Sequence, residues 1–294
     1  MRTRQSPRQR GSVTILVLWG VAIMFVLLAA AGFTTRTQMT IARNEVAAVR
    51  ARQAAEAGTQ LGLARLLARR AAGRGIFDGA PEIWQDGAAR VVIAIQDEAG
   101  KIDLNQAPLA LLAGLIAATG RKQEEALLLA CVIIERRGGS APACPEPADS
   151  PERGAPFAAP EELAGLPGFG DRLYARLADF VTVASGASAI DPEVAPRTVL
   201  LALPGATPAL VDAWLAGREA MHELAPESSG FEALPDFAFL VVSPVRDFTV
   251  SAVASTPDGA RARVDLQIRL TGRADHPYQA MAFRTPPLDS PGRR

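Results

Sequence analysis

Few residues of this 294-residue chain have both the type and the spacing for chemistry. Cys131 and Cys144 are the only cysteines, and His222 and His276 the only histidines. That set is too small for a cysteine- and histidine-based zinc site. In an oxidising compartment Cys131, near the end of an apolar helical run, can pair with Cys144 in the loop that follows. It can equally be an ordinary buried thiol, and the sequence leaves both readings open. There is no G-x-S-x-G elbow, no G-x-x-x-x-G-K-[ST] loop and no H-E-x-x-H helix. Gly168-Phe169-Gly170 lacks the third glycine and the preceding strand of a dinucleotide fingerprint. The chain is therefore not expected to be an enzyme.

Two tight turns could instead hold a phosphate. "LAGLPGFGDRLYARL", with Gly168 and Gly170, and "LLALPGATPALVDAWL", with Gly205, resemble helix-hairpin-helix motifs. In DNA-binding versions the turn's N–H groups and nearby cations contact the backbone. Here cations are sparse. Arg172 and Arg176 follow the first turn beside Asp171, and Arg218 lies a helix length from the second. Too few positive charges gather for counterion release to supply affinity, so the turns are expected to pack helices and no nucleic-acid partner is expected.

The elements that would position these residues begin with "RQRGSVTILVLWG" at residues 8–20. Residues 13–33 carry no charge over roughly the twenty residues a bilayer needs, and Arg2, Arg4, Arg8 and Arg10 precede them. A secretory signal cut after Ala31 is the rival, but its apolar core runs only about 7 to 15 residues. No proline follows up to residue 72, and Met39, Ala42, Val46, Val49, Leu61 and Leu66 recur near helical spacing. One helix from Ser12 to Arg70 is expected.

Further on, Arg90–Gln96 and Lys101–Leu104 read as two strands of a hairpin turning over Asp97–Gly100. Phe248, Val250, Ala252 and Ala254 alternate with mostly polar residues. After "TPDG", so do Ala262, Val264, Leu266, Ile268 and Leu270. A last strand near Tyr278–Phe283 completes an antiparallel sheet with one apolar face, to be covered by the second half of the long helix. The helical block between these strands contains a repeat: "IDLNQAPLALLAGL" from Ile102 returns as "IDPEVAPRTVLLAL" from Ile190.

A basic leader, a glycine, an apolar helix and an amphipathic continuation together resemble the class III signal of type IV pilins and type II secretion pseudopilins. "ARNEVAAVRARQAAEAG", "DEAGKIDLNQAP", "GAPFAAPEELAGLPGFGDRLYARLADFVTVAS" and "IDPEVAPRTVLLALPG" stand in the order of the landmarks of the minor pseudopilin K family. The resemblance implies an α+β pseudopilin fold, a long N-terminal helix on an antiparallel sheet, interrupted by an all-α domain with helix-hairpin-helix-like repeats. The divisions would be a leader at 1–11, a transmembrane and assembly helix at 12–70, the first part of the α/β domain at 71–105, the insertion at 106–240 and the last strands at 241–294.

Prepilin peptidase would cut between Gly11 and Ser12. Leu16 would stand at the fifth mature position, where pilins generally carry a glutamate that pairs with a neighbour's N-terminal amine. The expected role is a subunit that initiates or caps the pseudopilus at its tip, held by one span in the bacterial inner membrane with its C-terminal domain in the periplasm. Its partners would be the other minor pseudopilins, the major pseudopilin, the peptidase and exported proteins, with Ala47, Ala48, Ala51 and Ala54 letting helices approach. The competing reading is a membrane-tethered nucleic-acid-binding protein of a pilus or competence apparatus. No cofactor is expected. Family members hold calcium in an acidic loop, but here Glu146, Asp149 and Glu152 are the only acids in "RRGGSAPACPEPADSPERGAPF". A calcium ion there would need backbone oxygens to complete its shell.

Overall fold

The computed structural model describes residues 12–73, 75–145, 154–224, 237–241 and 246–286, with side chains at all of these except 12–13, 29–37, 219–224 and 237. With no proline to break it, α1 runs unbroken over Ser12–Ala71, 60 residues, a rod of about 90 Å. Arg69 and Arg70 occupy its last turn, where cations favour the dipole. Gly73 ends it at φ +63°.

The strands are β1 (Glu82–Asp86), β2 (Ala89–Asp97), β5 (Asp247–Ser255), β6 (Arg261–Leu270) and β7 (Tyr278–Arg284). They form one antiparallel sheet in the order β1-β2-β5-β6-β7. The alternation in the sequence becomes one inner face. Val91 pairs with Ala254, Ile93 with Ala252 and Ile95 with Val250, and Val250 pairs in turn with Leu266 and Phe248 with Ile268. All of these are buried. α1 packs across this face on β2, β5 and β6, so the fold class is α+β.

Two expectations fail here. Arg90–Gln96 and Lys101–Leu104 do not form a hairpin. β2 pairs with β5 on one side and with β1 on the other, through a two-residue turn at Gly87, φ +57°. After Asp97 a buried 3-10 turn, Glu98–Gly100, turns the chain out of the sheet. β3 (Ile102–Asp103) then pairs in parallel with β4 (Val181–Thr182) inside the helical insertion.

The second concerns α1. Met39, Val46 and Val49 are exposed, while Ala51, Ala54, Ala55, Thr59, Leu63 and Leu66 are buried. The sheet comes too close for larger groups. A Cβ on Gly58 would lie 2.7 Å from Val91 Cγ1, and one on Gly62 2.5 Å from Val250 Cγ1. Ala47, Ala51 and Ala54 are therefore occupied by the chain's own packing, and of the four alanines only Ala48 stays exposed.

The insertion holds α2 (Leu109–Ala118), α3 (Gln123–Arg136), α4 (Gly170–Leu177), α5 (Arg197–Leu200) and α6 (Pro208–Leu224) around a second core. The sequence repeat is a repeated structure. Asp103 Oδ1 accepts the N–H groups of Asn105 and Gln106, and Asp191 Oδ1 accepts that of Glu193. Each turn is followed by a proline, Pro108 or Pro196, and a helix. The copies cross so tightly that a Cβ on Gly114 would strike the carbonyl of Ala202.

Candidate assembly surfaces

The first candidate surface is the N-terminal part of α1. Every described side chain from Thr14 to Val46 is exposed, including Ile15, Leu18, Trp19 and Phe25, and Ala47 is the first of the described side chains to be buried. Leu16 is 74% exposed and brings no carboxylate to this surface. Among the described residues no helix is long and apolar enough to cross a membrane. The described side chains of the expected span run only from Thr14 to Leu28, short of the roughly twenty residues a crossing requires. Ser12 opens α1, and Gly11 lies outside the described residues.

The hairpin turns pack the insertion. Gly168 and Gly170, at φ +86° and +61°, join the 3-10 turn Pro160–Gly165 to α4, and Gly205, at φ +79°, joins α5 to α6. These are left-handed conformations that favour glycine. A Cβ on Gly168 would also press on Leu129 of α3. Of the nearby cations Arg172 is exposed, and the other three are engaged within the chain. Arg197 grips Asp212 at 2.6 and 3.2 Å, which raises the guanidinium pKa and lowers that of the carboxyl. Arg176 donates to the carbonyl of Thr119. Arg218 is buried and donates to the Asp78 carboxylate and to the carbonyls of Pro192 and Ala195.

Cys131 on α3 and Cys144 are joined in a disulfide. Glu146, Asp149 and Glu152 lie outside the described residues, as does the side chain of His222, while His276 is exposed. Among the described residues no group of three His, Cys, Asp or Glu side chains is placed to hold a metal.

The junction between sheet and insertion carries a strongly perturbed carboxyl. Burial pushes Asp97 up to about 7. The N–H of Ala99 bonded to its carboxylate opposes this, and the charges of Asp191 and Glu98 add to it. Beside it, the buried Glu98 carboxylate takes Lys101 Nζ and the Thr249 hydroxyl, both at 2.7 Å. On the outer sheet face Arg263 holds Asp179 at 2.6 Å and Asp265 at 2.9 Å. Burial works to lower the Arg263 pKa, but its hydrogen bonds with these two acids leave it raised.

Sequence reasoning missed the Arg218–Asp78 tie, for which no local pattern exists. It also missed the glycines of α1, although Ala54, Gly58 and Gly62 stand four apart in "AAEAGTQLG" and mark a row of small residues.

No protein-family model and no curated protein sequence matches the chain. Among solved structures, it is similar to a chain in the crystal structure of the GspK-GspI-GspJ complex from the enterotoxigenic Escherichia coli type 2 secretion system. The two are 15% identical, the likeness covers 86% of this chain and 99% of that one, and the TM-score is 0.49.

Proposed function

We propose that this chain is a minor pseudopilin of a type II secretion system that initiates or caps the pseudopilus at its tip and has no catalytic role. The observation that carries the reading is the division of α1. Its C-terminal part is fitted to the sheet through Gly58 and Gly62, and the described side chains of its apolar N-terminal part are left uncovered. A helix built this way serves a domain that hangs from an apolar stem and assembles through it. In the proposed setting residues 13–33 lie in the inner membrane, the folded part lies in the periplasm, and prepilin peptidase cuts between Gly11 and Ser12. Other minor pseudopilins and the major pseudopilin pack below. The missing carboxylate at Leu16 suits a first subunit, which has no predecessor whose amine it must neutralise, because an unpartnered charge in the bilayer is costly. The bulk of the insertion also suits a position with nothing above it.

Mass spectrometry of the mature N-terminus from a host with active prepilin peptidase tests the assignment. A chain beginning at Ser12 is expected. A retained Met1, or cleavage after Ala31, refutes it. Labelling the folded domain in assembled pseudopili tests the position: label at one end is expected, and regular label along the shaft excludes a tip subunit.

A further inference from the structure

Among the described residues the sheet and the insertion share no core residue. One cluster is built from α1 and the sheet, and the other lies wholly within the insertion. Between them is a cleft of about 910 Å³, with Val92, Ala94, Ser251 and Val253 of the outer sheet face on one wall and Ala175 and Ala178 of the insertion on the other.

The two sides of this cleft are held differently. Along its floor the contacts are short and buried. Gln96 Nε2 donates to the carbonyl of Val194 at 3.0 Å, and the N–H of Asp191 to the carbonyl of Ala99 at 2.9 Å. Glu98 ties Lys101 to Thr249, and Gly100 has no room for a Cβ against the Val194 carbonyl. At the mouth two ion pairs reach across, Arg263–Asp179 at 2.6 Å and Arg284–Glu161 at 3.4 Å, and their acids are 55% and 48% exposed. With their acids half exposed, these pairs are open to screening by salt, which the buried floor contacts are not. Arg263 also has a second partner on its own strand, Asp265. Letting go of Asp179 therefore leaves the guanidinium paired and returns an already half-exposed carboxylate to water.

We propose that the insertion is a flap hinged at Gln96–Lys101 and at the buried Arg218–Asp78 pair beside it, and clasped by Arg263 and Arg284, and that releasing the clasp widens the cleft while both cores stay folded. Hinge motions of this kind need only a few element-terminal residues to absorb the change. The 3-10 turn Glu98–Gly100, between β2 and β3, is so placed. The proposal rests on the cleft alone and stands whatever the chain's role in secretion.

The test is pulsed electron spin resonance on the full-length chain in mild detergent, with spin labels at Arg172→Cys on α4 and Asp258→Cys in the β5–β6 turn. Both positions are exposed, and the two native cysteines, bonded to each other, take no label. A reference pair, Gln60→Cys with Asp258→Cys, reports on the sheet and its helix alone. Adding Arg263→Ala and Arg284→Ala should lengthen and broaden the first distance and leave the reference pair unchanged. Raising salt from about 0.1 M to about 1 M, where screening shortens to about 3 Å, should do the same to the unaltered clasp. An unchanged first distance in the double variant overturns the proposal, as does movement of the reference pair together with it.

Discussion

Arg218, on α6 near the end of the insertion, donates to the carboxylate of Asp78, 140 residues earlier in the segment between α1 and β1. The guanidinium is only 6% exposed and also serves the carbonyls of Pro192 and Ala195. Removing one member of such a buried pair leaves the other without its partner. Arg218→Met should cost about 3 kcal/mol, and Asp78→Ala/Arg218→Met distinctly less than the sum of Asp78→Ala and Arg218→Met taken singly. Chemical denaturation of the four proteins in a double-mutant cycle measures the coupling.

The glycines of α1 make a size-dependent prediction. Gly62→Ala puts a methyl 2.5 Å from Val250 and 2.9 Å from Ile93, and overpacking of this kind costs about 1 to 3 kcal/mol. Gly217→Ala in α6 meets nothing within 4 Å and should stabilise by about 0.5 to 1 kcal/mol, since only helix propensity is at stake. Opposite shifts in melting temperature for two Gly→Ala changes in helices are the expected result.

Asp97 predicts a pH dependence. Its folded value, about 7, lies above the ordinary 3.8, so between these values the folded chain holds a proton that the unfolded chain releases. Stability from this group is therefore fully present below about pH 4 and is lost as pH rises towards 7. The loss is at most about 4 kcal/mol. Asp97→Asn keeps an oxygen for the Ala99 N–H and removes the ionisation. It should raise the melting temperature at pH 8 and leave it nearly unchanged at pH 4.

The Cys131–Cys144 disulfide closes a short loop, with 13 residues of separation. Its loss should cost about 2 to 4 kcal/mol. Melting curves of Cys131→Ser/Cys144→Ser with and without reductant check this, since the variant should be insensitive to reductant and the unaltered chain should not. Thiol labelling of denatured, unreduced protein should modify neither cysteine.

Because Arg197 and Arg218 are held by Asp212 and Asp78, and the exposed Arg172 stands beside Asp171, the hairpins have little net positive charge to offer a phosphate. Duplex or single-stranded DNA titrated at about 0.05 M salt should show no salt-sensitive binding in the submicromolar range. Such binding would favour the nucleic-acid reading over the one proposed.

What the sequence revealed follows from the range of each interaction. β5 and β6 were legible because one face is buried and the other is not, so the period of two appears in the residues themselves. The Ile-Asp…Ala-Pro repeat was legible because each copy is a local turn and helix. The pairing of Ile102 with Val181 was not: it joins residues 79 positions apart, and two residues on each side carry no pattern. β1 was missed because "EIWQD" is short and mostly exposed, leaving Gly87 as its only signal. In α1 the apolar spacing marked the buried face only in part: Leu66 is buried and Leu61 packs beside it, but Met39, Val46 and Val49 are exposed, because close approach to a sheet is recorded in the smallest side chains.

The unequal coverage of α1 has a mechanical consequence. From Thr14 to Val46 the helix extends about 50 Å, and Ala47 is the first of its described side chains that the chain buries. It acts as a lever arm with the folded mass at its far end. A tilt of about 10° at its base carries that mass sideways by roughly 9 Å, given a rise of 1.5 Å per residue. Any force that leans the stem is thus magnified into a displacement as wide as a helix at the sheet and insertion.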